Sequence, residues 1–153
     1  MRPTKELIAR LHADFPAIRF EPGNTFAWSA VRSVVQYDPS AAQAAAFLLH
    51  ELAHAQLAHA DFQLDIELLA REREAWDYAT NVLAPMYLDA IDEELIETSL
   101  DTYRQWLYAR SLCPKCSTTG LQTKTSTYIC MNCRCSWRPN DARQCELRRV
   151  TIG

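Results

Sequence analysis

Cysteine is missing from the first 112 residues, glycine occurs only three times, and no uninterrupted apolar run is longer than 44–49. The first scarcity excludes a disulfide framework for most of the chain. The second, with 48% hydrophobic and 23% charged residues, excludes fibrous and disordered classes and leaves a globular protein. The third falls far short of the ~20 residues needed to cross a bilayer, so no membrane span is expected. The opening stretch MRPTKELIARLHADF has no apolar h-region and no small-residue cleavage site. It does not read as a secretory signal, and a cytoplasmic location is expected. A chain of 153 residues has room for one sizeable core and one small appendage, not for two large domains.

Charge is divided unevenly. Residues 1–110 carry 9 Lys/Arg against 17 Asp/Glu, whereas 111–153 carry 7 against 2. All six cysteines fall in that basic tail, and a reducing compartment would keep them as thiolates free to bind metal. The composition change sets a boundary near residue 111, giving an expected body of 1–110 and an expected module of 111–153.

Within the body, Leu7, Ile8 and Leu11 are spaced for a short helix over 4–14, ended by Phe15-Pro16. Between Ala17 and Tyr37 the β-branched and aromatic residues predict two or three short strands, broken at 21–24 and strongest at 34–37. Ser40 and Gln43 then suit a capping box opening an alanine-rich helix over the following twenty residues. Ile66, Leu69, Trp76, Ala79 and Leu83 predict a second helix, closed by Ala84-Pro85, and a third is expected over about 86–110. The fold class is therefore α+β.

His50 and His54, in the sequence HELAH, lie one helical turn apart and so project from the same face, as two ligands of a tetrahedral zinc must. Glu51 sits about 100° around the helix, where its carboxylate could take a proton from a metal-activated water. A chance match to His-Glu-x-x-His in a chain of this composition has a probability of roughly 1%, and the predicted helical context raises its weight. Catalytic zinc takes a third protein ligand. His59, five residues past His54 without a glycine turn, reads as a cap or surface residue pointing away from the metal. Glu67, Glu72, Glu74 and Asp77 compete on the second helix, and the apolar neighbours Ala70, Ala75 and Tyr78 tip the choice slightly toward Glu74. The strand near Val34–Gln36 is a candidate for pairing with an extended substrate. Tyr37, Tyr78 and His59 are candidates for stabilising an oxyanion.

In the tail, Cys113, Cys116, Cys130 and Cys133 form two C-x2-C knuckles separated by 13 residues. Two such knuckles close a four-thiolate tetrahedron with no open position, which is the pattern of a structural zinc ribbon. Cys135 could compete with Cys133 as a ligand, and otherwise Cys135 and Cys145 are spare thiols. The basic charge beside Tyr128 and Trp137 allows docking on nucleic acid or an acidic protein.

The stretch SVVQYDPSAAQAAAFLLHELAHAQLAH resembles the strand and active-site helix of the ImmA/IrrE family of metallo-endopeptidases, and EAWDYATNVLAP resembles that family's second conserved block. Together they span about a third of the chain. The resemblance implies a small zincin-like core (a short mixed sheet, the active-site helix and the helices after it), an intracellular endopeptidase, and Glu74 as the third, glutamate ligand of the zinc. It also implies a protein substrate, commonly a DNA-bound regulator. The cysteine module departs from the family pattern. SprT-like proteases join His-Glu-x-x-His to a zinc ribbon, but their third ligand is a downstream histidine, and this chain has none after His59. A non-catalytic ribbon protein binding nucleic acid or protein is the remaining alternative. One catalytic and one structural zinc are expected.

Overall fold

The computed structural model describes residues 1–141 and 147–153, so Cys145 lies outside the described residues. It is a mixed α+β protein, and none of its described helices is long and apolar enough to cross a membrane. The chain forms two units, residues 1–60 with 71–96, and residues 61–70 with 97–153.

The first unit opens with helix α1 (Lys5–Asp14), whose N-cap Thr4 accepts the Leu7 N–H at 3.1 Å, and which buries Leu7 and Leu11. Three short strands follow: β1 (Arg19–Pro22), β2 (Ala27–Ser29) and β3 (Val34–Tyr37). Their order is β1-β3-β2, with β1 parallel and β2 antiparallel to β3. The strongest predicted strand, β3, is therefore central: Val34, Val35 and Tyr37 are buried, and its neighbours occupy both edges. That overturns the expectation that Val34–Gln36 offers an edge to substrate. The edges of this sheet are β1 and β2.

Helix α2 (Ala44–Gln56) packs on this sheet with nine buried residues, its alanines allowing close approach. Its start is later than the capping-box reading predicts. Ser40 donates from both N–H and Oγ to Asp38 Oδ1, at 2.9 and 2.6 Å, making a local turn instead of a helix cap. Gln43 stands left-handed at φ 57°, and the orphan N–H of Ala45 is taken by the Met1 carbonyl. Helix α3 (Asp65–Tyr78) runs on through a π-turn, Ala79–Leu83, into α4 (Ala84–Tyr87). Pro85 thus does not close the helix. A wide turn, with the Ala84 N–H reaching Ala79 C=O, passes the chain into a new first turn where proline's missing N–H costs nothing.

The second unit contains the start of α3, most of α5 (Glu93–Ser111) and an antiparallel sheet, β4 (Leu121–Lys124), β5 (Thr127–Ile129), β6 (Ser136–Pro139) and β7 (Arg149–Ile152), in sequential order. Asp92, whose Oδ1 accepts the Glu94 N–H at 3.0 Å, starts α5 later than the predicted residue 86. The expected boundary at 111 falls inside this unit for a physical reason. Asp65 accepts from Arg110 Nε at 2.7 Å and from Tyr128 Oη at 2.6 Å, while Trp137 Nε1 donates to the Arg110 carbonyl at 2.9 Å. These bonds tie the end of α5 and the start of α3 to the strands. Trp137 also fills the space over Gly120, where a Cβ would meet its ring at 2.2 Å.

Both side chains of the Asp65–Arg110 pair are 4% exposed. Asp65→Ala strands a buried guanidinium and is expected to destabilise the protein by about 3–5 kcal/mol, measurable by urea titration.

Candidate metal centres

On α2, His50 and His54 are buried on the same face, and the geometry follows from the one-turn spacing: their Nε2 atoms are 3.1 Å apart. A third donor meets them. Glu72 Oε2 lies 2.9 Å from His50 Nε2, and Oε1 lies 3.3 Å from His54 Nε2. Ligand atoms at 2.0–2.1 Å from a zinc ion stand about 3.3–3.4 Å apart along a tetrahedron's edges, close to what these three present. His50, His54 and Glu72 are therefore a group that could hold a metal ion.

Glu74 is not part of that group. It lies two residues, about 200°, around α3 from Glu72. Its side chain is 63% exposed and meets His59 Nε2 at 3.1 Å. The physical reason is the phase of the apolar stripe: Leu68, Ala75, Trp76 and Ala79 are buried, and Glu72 falls on that face, four residues from both Leu68 and Trp76. Of the other candidates, Glu67 Oε2 accepts the N–H groups of Gln63 and Leu64 at 2.8 and 3.0 Å, and Asp77 is exposed. Trp76 is the signal that could have selected Glu72, since its ring stacks on His50 at 4.1 Å between centroids.

His59 does not point away from the site. It turns back beyond the end of α2, and its Nδ1 lies 2.8 Å from His54 Nδ1, on the side of that ring away from Glu72.

The group's electrostatics separate two carboxylates. Burial would raise Glu72, but hydrogen bonds with His50 and His54 outweigh it and hold the carboxyl at about 2. Burial pushes Glu51 up to about 7, against the attraction of His54 and a hydrogen bond from the Trp28 backbone N–H. His50 is held below its usual range, first by burial.

The raised Glu51 carboxyl has a consequence for stability. Its folded value lies above its unfolded one, so its contribution is fully present below about pH 4.5 and is lost as pH rises through about 7. In chelator-treated protein, Glu51→Gln is expected to melt at a higher temperature than the wild type above pH 7. The gap should close toward pH 4.5, as thermal melts across that range would record.

In the second unit, Cys113, Cys116, Cys130 and Cys133 bring their sulfurs within 4.8 Å of one another. Cys113 to Cys133 is 3.6 Å and Cys116 to Cys130 is 3.5 Å. These separations exceed a disulfide's S–S bond of about 2.05 Å and approach the ~3.8 Å edge of a zinc-thiolate tetrahedron. Hydrogen bonds with Thr118 lead in drawing Cys116 down to about 5. Cys133, although the Cys135 backbone bond lowers it, is pushed up to about 12 by burial and by its thiol neighbours. Four sulfurs this close cannot all ionise without a cation among them. Cys135 turns its sulfur toward the Ser136 carbonyl, at 3.8 Å, and stays outside the group.

Tyr37 is buried in the first unit's core, and burial raises its hydroxyl pKa. Compared with models of known protein families, with curated proteins and with solved structures, the chain gives no match.

Proposed function

We propose that this protein is a zinc-dependent endopeptidase of the ImmA/IrrE kind with a zincin-like core, in which His50, His54 and Glu72 hold the catalytic zinc and Glu51 is the general base. The observation that carries this reading is the convergence of three buried donors, on two helices, beside a fourth group whose proton affinity is poised near neutrality. Zinc held there supplies a Lewis acid and an activated water.

Glu51 takes the proton from the water that attacks the peptide carbonyl, then returns it to the departing amine nitrogen as the C–N bond breaks. A carboxyl near 7 can both accept and release a proton at neutral pH. Glu72, held ionised, and His50, kept neutral by burial, suit a cation better than either would as a base. Strand β2 supplies the approach for substrate. It is one of the two edges of its sheet, and its Trp28 N–H meets Glu51, so an extended peptide paired along that edge lies beside the base.

The four cysteines hold a second, structural zinc, making the strands around them a zinc ribbon. Exposed Lys115, Lys124, Arg134 and Arg138 give the ribbon basic surface residues suited to docking an acidic partner, nucleic acid included. The test is hydrolysis itself. Zinc-loaded protein, incubated with dye-labelled unstructured polypeptides, is expected to generate new amino termini, counted by amine-reactive labelling. Complete absence of new termini across a broad polypeptide set, with both zinc ions bound, contradicts the assignment.

A further inference from the structure

We propose that His59 and Glu74 are positioning residues that hold His54 in the orientation and tautomer required for metal binding, an inference that rests on the metal reading above. Helix α2 ends at Gln56, and the chain then turns sharply. Ala58 adopts φ 54°, a left-handed conformation uncommon for a residue with a Cβ, and the His59 N–H returns to the His54 carbonyl at 3.0 Å. This helix-ending turn brings the His59 ring behind His54, with Nδ1 facing Nδ1 at 2.8 Å. On its far side, His59 Nε2 lies 3.1 Å from Glu74 Oε2.

The chemistry of two imidazoles in series permits a single arrangement once His54 binds metal. His54 must present a lone pair at Nε2, the atom that faces His50 and Glu72, so its proton sits on Nδ1. His54 Nδ1–H then donates to His59 Nδ1, which must be bare. His59 therefore carries its proton on Nε2 and donates it to the Glu74 carboxylate. Every bond points the same way, from His54 to Glu74, and the carboxylate at the end makes His54 a better donor to the metal. His50 is held by other means: Trp76 stacks on its ring, and its Nδ1 has no hydrogen-bond partner among the described residues. Removing His59 should therefore act on His54 alone.

The experiment is a zinc competition against a chelator on the full chain with the ribbon site loaded, paired with nitrogen-15 NMR of the histidine rings. His59→Ala is expected to weaken zinc at the histidine site by about 10–100-fold. His59→Gln, which keeps an acceptor for His54, should recover part of the loss, and Glu74→Gln should cost only several-fold because Glu74 is largely exposed. In the zinc-loaded wild type, His59 should appear as the Nε2–H tautomer and His54 as Nδ1–H. Unchanged zinc affinity in His59→Ala, or a His59 ring protonated at Nδ1, overturns the relay while leaving the metal site standing. A wild type that takes up no zinc sensitive to His54→Ala overturns the metal reading and the relay together.

Discussion

Glu51→Gln is expected to lower peptide cleavage by about 10²–10⁴-fold while leaving both zinc ions in place. Glutamine keeps the shape of the side chain and an oxygen able to accept from the Trp28 N–H, so α2 and the edge strand keep their register. It has no basic oxygen, so neither half of the proton shuttle survives. Loss of turnover with unchanged metal content separates a missing base from a missing metal. Retained cleavage in this variant would mean that some other group moves the proton.

Cys113→Ser is expected to release one zinc ion per chain and to disorder the ribbon. A serine hydroxyl does not ionise at neutral pH, so the tetrahedron is left with three thiolates. Cys113 and Cys130 are also part of a small core in the second unit with Tyr128 and Trp137, stacked at 5.5 Å. A segment of this size buries too little apolar surface to fold alone, and structural zinc contributes about 10 kcal/mol or more to such modules. The near-ultraviolet signal of the stacked pair should fall in Cys113→Ser and persist in Cys135→Ser, whose sulfur lies outside the group. Two zinc ions retained by Cys113→Ser would contradict the four-cysteine site.

Local rules made much of this legible. The one-turn spacing of His50 and His54 needs only helical geometry, and two C-x2-C knuckles need only short loops, so both clusters could be read directly from the chain. What failed depended on phase and partners. Choosing Glu74 over Glu72 required the orientation of α3, which Trp76 fixes by stacking on His50, a contact across 26 residues. Reading His59 as a surface residue assumed that the helix continued, whereas Ala58 takes a left-handed conformation without the glycine that usually signals it. Strand β3 looked strongest because it is buried on both sides, and burial of that kind marks a central strand, not an edge. The late start of α2 goes with the local Asp38–Ser40 turn and with a backbone bond between Ala45 and Met1, and the second of these is encoded by no local pattern.

The most direct test is anomalous X-ray scattering at the zinc edge from crystals of the metal-loaded protein. A peak within bonding distance of His50 Nε2, His54 Nε2 and a Glu72 carboxylate oxygen, with Glu51 beside it and unbound, is the expected result. A peak coordinated by Glu74, or density for zinc at the cysteines alone, would contradict it.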